Sequence, residues 1–252
     1  MTAIVLPQGW TLASFETIGS TNDEATERAG QGAPEGLVVW SLAQAGGRGR
    51  RGRTWQSPRG NLYCSTLLRP QCPAVRASQL GFVASLAVVD TISPLLPDPT
   101  ALKVKWPNDV LIGGAKICGI LAESSVNGSG KVDHVVLGIG INVASHPPIE
   151  RIGYAATSLA ALGVHKPVSD LLSRLLQALH RRYGVWKTGG FGALREDWLS
   201  HAAALGEAIS VKVGETSASG RFAGIDAEGA LLLEEGSGQT RRISAGEIAP
   251  AA

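Results

Sequence analysis

The chain has 252 residues, 44% of them hydrophobic and 17% charged, with 23 Lys and Arg against 21 Asp and Glu. This composition supplies a large core and excludes intrinsic disorder, which requires low hydrophobicity and high net charge. The absence of any 18-residue apolar run or signal-peptide pattern predicts a protein without a membrane span. Three widely spaced cysteines predict reduced cytoplasmic thiols rather than disulfides or a zinc site. They are Cys64, Cys72 and Cys118.

The first half of the chain mixes predicted strands with two helices. A helix is predicted from Ser20 through Ala29, because Ser, Thr and Asn cap free N–H groups and acids suit the first turn. Short apolar runs bounded by turn residues predict strands, whereas a longer apolar segment before Pro94 predicts a buried helix. Since the strands follow one another in hairpin-like groups, we expect an α+β fold with a mixed or antiparallel sheet. The predicted strands span 36–45, 61–69, 101–106, 117–123 and 132–143, and the buried helix spans 77–96.

The second half predicts helices and then a group of short strands. Asp170 to Lys187 places leucines at helical spacing on one face, and a second helix is predicted over residues 191–203. From Gly206 onward apolar residues alternate with polar ones, and glycines separate the short segments, as in a small β-barrel. We therefore predict two domains, residues 1–205 and 206–252.

A glycine-spaced cationic segment lies in Q-A-G-G-R-G-R-R-G-R-T-W, residues 44–55. Arginine presents a planar set of donors that matches carboxylate and phosphate, so the segment predicts an anionic ligand. It also fits G-x-G-x-x-G, but the residues that follow cannot open the helix of a dinucleotide-binding unit. A solvated basic loop and a nucleic-acid-binding arm are the alternatives. A net charge of +2 and an aromatic content of 5% argue against the second.

Asn108 and Asp109 follow Pro107 in a predicted turn at a strand end. A hairpin at Gly113-Gly114 would bring Lys116 close to both. An amide, a carboxylate and an ammonium together resemble a metal–phosphate site, in which the Asp reaches Mg²⁺ and the Lys neutralises phosphate. An ordinary turn is the alternative.

A second glycine motif, G-I-G-I-N at residues 138–142, lies inside a predicted strand. Glycine weakens a strand interior and often marks the close approach of a ligand or another backbone. A β-bulge is the alternative.

Taken together, five motifs resemble the biotin protein ligases in order and spacing. The C-terminal segment 229–248 resembles the SH3-like domain of that family. The resemblance implies a catalytic domain like that of class II aminoacyl-tRNA synthetases, followed by a small SH3-like barrel. The motifs are S-T-N at 20–22, the Arg-Gly segment at 44–55, K-W-P-N-D-V at 105–110, K-x-x-G-I-L-x-E at 116–123 and G-I-G-I-N-V at 138–143.

The resemblance implies a two-step reaction with ATP and Mg²⁺ as cofactors and biotin as substrate. Biotin and ATP give biotinyl-5′-AMP and pyrophosphate, and the biotin then passes to a lysine of a biotin carboxyl carrier protein. A monomer or homodimer without a membrane partner is expected. No DNA partner is expected either, because only 19 residues precede Ser20 and a helix-turn-helix domain does not fit there. A lipoate–protein ligase is the alternative, although its R-R-x-x-G-G-G-x-V stretch is missing.

The resemblance also assigns roles to individual residues. Some family members carry an Arg after the final G-E-I that contacts the nucleotide. Here A-P-A-A at 249–252 follows, which puts that contact in doubt. The catalytic positions are Lys116, Arg50, Arg48 and Asp109, with Asp109 as the candidate Mg²⁺ ligand. The biotin-binding positions are Ser20, Thr21, Asn22, Gln44, Gly47, Arg48, Gly49, Arg50, Arg51, Lys116, Gly119, Leu121 and Gly138. The ATP-binding positions are Arg50, Trp55, Asn108, Asp109, Lys116 and Asn142.

Overall fold

A computed structural model describes residues 3–128, 130–152, 154–236 and 238–249. Its strands and helices follow the predicted order with two additional strands. The strands are β1 (Thr11–Phe15), β2 (Leu37–Ser41), β3 (Leu62–Leu68), β4 (Leu102–Lys105), β5 (Asp109–Ile112), β6 (Ala115–Val126), β7 (Val132–Ile141), β8 (Ala208–Val213), β9 (Thr216–Ile225), β10 (Leu231–Glu234), β11 (Thr240–Ile243) and β12 (Glu247–Ala249). The helices are α1 (Thr21–Gly30), α2 (Ala74–Ala77), α3 (Leu80–Ile92), α4 (Ile149–Ile152), α5 (Val168–Gly189) and α6 (Gly192–Ser200).

The larger sheet has seven strands in the order β1-β2-β3-β7-β6-β5-β4. Strand β1 pairs with β2 in parallel and all other neighbours are antiparallel, which confirms the predicted α+β fold with a mixed sheet. The additional strands are β1 and β5. Both strands are short. The sequence of β5 predicts a turn, but pairing with β4 on one side and β6 on the other supplies the hydrogen bonds of a strand.

The two faces of this sheet have different roles. Helices α3 and α5 pack on one face and form the main core with Leu137 and Ile139 of β7. Helix α1 packs on the other face, against Val136 of the same strand. Because side chains alternate along a strand, Gly138 falls on the α1 face and leaves its surface uncovered there. The α1 face is therefore where a ligand can approach the sheet backbone.

The C-terminal strands form a five-stranded antiparallel sheet in the order β11-β10-β9-β8-β12. Its apolar side chains, among them Phe222 and Leu231, belong to the same hydrophobic cluster as α3 and α6. In addition, Trp106 Nε1 donates a hydrogen bond to the Gly229 carbonyl at 3.0 Å. This sheet thus packs directly behind the turn that carries Asn108.

The three cysteines are free and buried, as predicted. Burial raises the pKa of the Cys64 thiol to about 12, so the thiol stays protonated and unreactive near neutral pH. Among the described residues, one helical stretch, Ala74–Leu95, is long and apolar enough to cross a membrane. Most of that stretch is buried inside the protein, as in the core helix of a globular domain.

Candidate active site

A cleft of about 830 Å³, including its open mouth, lies on the α1 face of the seven-stranded sheet. The beginning of α1, strands β6 and β7, the turn before β5, the Arg-Gly loop (residues 47–53) and one residue of β12 surround it. Lining residues include Ser20, Thr21, Asn22, Gln44, Arg48, Gly49, Arg50, Arg53, Trp55, Tyr63, Asn108, Asp109, Lys116, Gly119, Leu121, Gly138, Gly140, Tyr154 and Glu247.

The beginning of α1 brings the S-T-N motif to the cleft. Ser20 caps the helix, and its hydroxyl accepts a hydrogen bond from the Asp23 N–H. Because Ser20 is the cap, Thr21 and Asn22 lie in the first turn of α1, and their side chains face strand β3 of the sheet. All three residues of the motif are buried.

One end of the cleft is a chain of uncharged polar groups. The backbone N–H and hydroxyl of Thr21 donate to Gln44 Oε1 at 2.8 and 3.0 Å, and Gln44 Nε2 donates to Ser57 Oγ. Ser65 Oγ lies 2.7 Å from Thr21 Oγ1 and 2.6 Å from Asn22 Oδ1. The fold therefore brings together Gln44 and the S-T-N motif as predicted. It also adds Ser65, which no motif pointed to.

The glycines of β6 and β7 form the floor of the cleft. A Cβ atom at Gly138 would overlap Asn22 Oδ1, and at Gly119 or Gly140 it would lie 3.0 or 2.5 Å from the Trp55 side chain. The strands keep a regular register there, so the bulge alternative is wrong. Side chains, not another backbone, approach these glycines in the structure, and the approach of a ligand stays a prediction. Trp55 Nε1 is buried without a hydrogen-bond partner among the described residues, so it is an unused donor inside the site.

The other end of the cleft is charged. Lys116 Nζ lies 2.6 Å from Asp109 Oδ1, and both side chains are less than one-fifth exposed. The Lys116 ammonium also lies 5.5 Å from the ring centre of Trp55 and 5.4 Å from that of Tyr154. The predicted approach of Lys116 to Asp109 across the hairpin is thus confirmed. Asn108 is close as well, with its side-chain amide donating to the Ile120 carbonyl at 2.6 Å.

The arginines of the Arg-Gly loop differ in their partners. Arg50 donates to Asn108 Oδ1 at 3.1 Å, and no carboxylate in the described part of the chain lies within hydrogen-bond distance of it. Burial, together with the neighbouring charge of Arg51, lowers the pKa of Arg50 below its ordinary value. Arg48 pairs with Asp23, and Arg53 donates to both carboxylate oxygens of Glu247 at 2.9 and 2.8 Å.

Three residues with assigned roles do not line the cleft. Gly47 packs against the Trp55 backbone, where a Cβ would not fit. The exposed side chain of Arg51 lies 3.8 Å from Glu247. Asn142 is buried and lines a smaller adjoining recess that shares Trp55 and Lys116 with the cleft.

Several residues in or beside the cleft carried no role in the sequence reading. Glu123 and Glu247 stand inside quoted motifs, and that was the available signal for them. Ser65 and Tyr154 have no such signal, since only the fold brings them near. The C-terminal positions 250–252, where a nucleotide contact was in doubt, lie outside the described residues.

Comparison with known proteins identifies the family. The profile of the Biotin/lipoate A/B protein ligase family matches residues 14–142, and that of the Biotin protein ligase C terminal domain matches residues 204–249. A biotin--[acetyl-CoA-carboxylase] ligase from Paracoccus denitrificans is 40% identical over 233 residues, covering 91% of this chain and 96% of that protein. The chain belongs to the biotin/lipoate A/B protein ligase family. Its C-terminal antiparallel sheet falls within the segment that matches the second profile.

Two further similarities are to biotin ligases of the biotin/lipoate A/B protein ligase family. A biotin--[acetyl-CoA-carboxylase] ligase from Mycobacterium tuberculosis is 37% identical over 236 residues, covering 91% of this chain and 85% of that protein. The biotin protein ligase from Aquifex aeolicus, solved in complex with biotin and ATP, superposes with a TM-score of 0.81 and 28% identity. That comparison covers 95% of this chain and 97% of the other.

Proposed function

We propose that this chain is an ATP-dependent biotin protein ligase that activates biotin to biotinyl-5′-AMP and transfers it to a lysine of a biotin carboxyl carrier protein. The observation that supports this most directly is the polarity of the cleft. One end offers neutral donors and acceptors around Asn22 and Gln44, and the other offers Lys116 and Arg50. Biotin has the same polarity, with a neutral ureido ring at one end and a carboxylate at the other.

At the neutral end, hydrogen-bonding groups hold the ureido ring. Ser20, Thr21, Asn22 and Gln44 are the proposed contacts. Gly119 and Gly138 line the same pocket, because a Cβ at either position would press on the Trp55 or Asn22 side chain. Leu121 supplies apolar contact beside these glycines. The loop residues Gly47, Gly49 and Arg51 contribute through the backbone that covers the ligand.

At the charged end, cations offset the repulsion between the biotin carboxylate and the ATP phosphates. Lys116 Nζ and the Arg50 guanidinium supply preorganised positive charge where negative charge gathers in the transition state. Removing one such group typically lowers the rate on the order of 10²–10³-fold. Asp109 holds Lys116 in place at 2.6 Å, while Asn108 does the same for Arg50 at 3.1 Å.

The nucleotide lies on the side of the cleft where Trp55 and the recess with Asn142 meet Lys116. Mg²⁺ enters with ATP, since magnesium in such sites binds one or two carboxylates together with substrate phosphates and water. No group of three metal-ligating side chains occurs among the described residues, and Asp109 is the carboxylate that we propose for the metal. That donor set fits a metal carried by the phosphates rather than a resident one.

The Arg-Gly loop excludes water from the adenylate. A mixed anhydride hydrolyses when water reaches it, so a lid that covers the site protects it until the acceptor lysine arrives. The acceptor approaches the end that carries Lys116 and Arg50, because the anhydride forms there. The named relatives are biotin ligases, which favours biotin over lipoate as the substrate.

The finer architecture remains part of this proposal. We assign residues 1–205 to a catalytic domain like that of class II aminoacyl-tRNA synthetases and residues 206–252 to an SH3-like barrel. Free buried thiols are compatible with the proposed cytoplasmic location. A monomer or homodimer that does not bind DNA is the proposed form.

The test is transfer of labelled biotin in the presence of MgATP to a purified biotin carrier domain. We expect label on the carrier and none on a carrier whose acceptor lysine is replaced by arginine. Labelled lipoate in a parallel reaction tests the alternative substrate. Absence of transfer from biotin, or transfer from lipoate alone, would refute the proposal.

A further inference from the structure

The guanidinium of Arg48 is already neutralised by acidic side chains. Its Nη1 and Nη2 donate to the two carboxylate oxygens of Asp23, both at 2.6 Å, and Nη2 lies 3.5 Å from Glu123 Oε1. The hydrogen bonds that Arg48 donates to the Asp23 carboxylate raise the pKa of Arg48 above its ordinary value. Parallel bidentate bonds of this kind fix geometry as well as charge. An anionic substrate would have to displace two carboxylates to use this guanidinium.

Arg50, two residues further on, is in the opposite situation. Its side chain is more buried than that of Arg48, and its hydrogen-bond partner is the neutral amide of Asn108. Its positive charge therefore faces the cleft without a direct counter-ion. The resemblance assigned Arg48 and Arg50 the same role. In the structure, Arg48 is paired with carboxylates, whereas Arg50 is hydrogen-bonded to an amide.

Glu123 connects Arg48 to the polar groups at the neutral end of the cleft. Its Oε2 accepts a hydrogen bond from Asn22 Nδ2 at 2.6 Å, while its Oε1 is the atom near Arg48. Asn22 in turn accepts a hydrogen bond from Ser65, so the loop is linked through Glu123 to the groups that line the neutral end. Asp23 lies on the first turn of α1 and Glu123 on β6, so Arg48 bridges the two elements across the cleft mouth.

We propose that Arg48, Asp23 and Glu123 form a latch that holds the Arg-Gly loop over the cleft, and that Arg48 is a positioning residue without contact to the substrate charge. The proposal rests on the proposed biotin ligase function. All three side chains of the latch are more than one-third exposed, and exposed ion pairs contribute little to global stability. Opening the latch therefore changes how well the loop retains the adenylate, while the fold and the charge at Lys116 and Arg50 stay the same.

The experiment is a charge-reversal cycle with the variants Arg48→Asp, Asp23→Arg and the double variant. Two rates are measured for each: pyrophosphate release in a single turnover, and escape of biotinyl-5′-AMP from the preformed complex. Each single variant should release the adenylate about two- to fivefold faster, with pyrophosphate release within about twofold of wild type, because a few-fold change is what an exposed pair can supply. The double variant should recover part of the retention, because the restored pair between positions 23 and 48 is offset by repulsion between the new carboxylate at position 48 and Glu123.

Arg59→Gln is the matched control, since Arg59 pairs with Glu16 outside the cleft and its loss should change neither rate. A drop in pyrophosphate release of a hundredfold or more in Arg48→Asp, with no recovery in the double variant, would overturn the latch. Arg48 would then be a residue that contacts the charged part of the substrate. Unchanged adenylate escape in both single variants would also overturn it. Failure of the wild-type protein to release pyrophosphate from biotin and ATP would instead refute the proposed function.

Discussion

Replacing Gly138 by alanine tests whether the floor of the cleft and Asn22 together form the biotin end. The added methyl group would overlap Asn22 Oδ1, so the Asn22 side chain has to move. That side chain is fixed on both sides, by Ser65 Oγ at 2.6 Å and by Glu123 Oε2 at 2.6 Å. It cannot move without lengthening at least one of these hydrogen bonds.

The expected cost follows from those two hydrogen bonds. A neutral one contributes a net of about 0.5–1.5 kcal/mol and one to a carboxylate about 1.5–3 kcal/mol, and partial relaxation recovers some of their sum. We therefore expect a loss of about 1.5–3 kcal/mol in biotin binding, which corresponds to roughly a 10- to 100-fold higher Kd. Alanine is favoured over glycine in a strand by about 0.5–1 kcal/mol, which offsets only part of the lost hydrogen-bond energy, so the melting temperature should also fall modestly.

Isothermal titration with biotin, combined with thermal unfolding, measures both quantities. Gly128→Ala is the matched control, because Gly128 lies in the turn between β6 and β7 and nothing stands within 4 Å of where its Cβ would be. That variant should bind biotin like the wild type. Biotin binding within twofold of wild type in Gly138→Ala, at an unchanged melting temperature, would refute the assignment of this end of the cleft.

Three further substitutions test the charged end and the C-terminal sheet. Lys116→Ala should lower pyrophosphate release on the order of 10²–10³-fold without unfolding the protein, and a wild-type burst would contradict its role. Arg50→Gly should slow adenylate formation and let the adenylate escape, so the share of label on bystander proteins relative to the carrier should rise in a blot of mixed proteins; unchanged selectivity would count against this. Burial opposes ionisation of Glu247, but hydrogen bonds from Arg53 prevail and hold its pKa below the ordinary value. The stability it contributes is present above the unfolded pKa and is lost as the pH falls through the folded pKa. Glu247→Gln should therefore melt below wild type near neutral pH, and the difference should disappear in acid; a difference that is constant with pH would exclude this ion pair as its source.

Local sequence patterns were sufficient for most of the secondary structure. The leucines of α5 recur at helical spacing, and Leu171, Leu175 and Leu179 are all buried. The motif G-I-G-I-N alternates along a strand, which correctly indicated two positions without side chains on one face. By contrast, β1 and β5 are short segments whose pairing depends on β2, β4 and β6. Such strands have little signal of their own, because their hydrogen-bond partners are distant in sequence.

Part of the candidate site was predictable for the same reason. Lys116 and Asp109 are seven residues apart across a Gly-Gly turn, so a hairpin was enough to bring them together. Trp55 was expected near the nucleotide, but no pattern indicated that its ring would lie against Gly119 and Gly140 on two neighbouring strands. Contacts of that kind require the register of the whole sheet.

The sequence alone determined the order of the motifs, the alternation of the strands and the concentration of positive charge in the Arg-Gly loop. It could not distinguish Arg48 from Arg50, because both lie in the same glycine-rich pattern. Only the tertiary structure brings Asp23 and Glu123, 25 and 75 positions away from Arg48, to the mouth of the cleft and leaves Arg50 without a direct counter-ion. The strength of an ion pair depends on distance in space and on burial, and neither is encoded in local spacing.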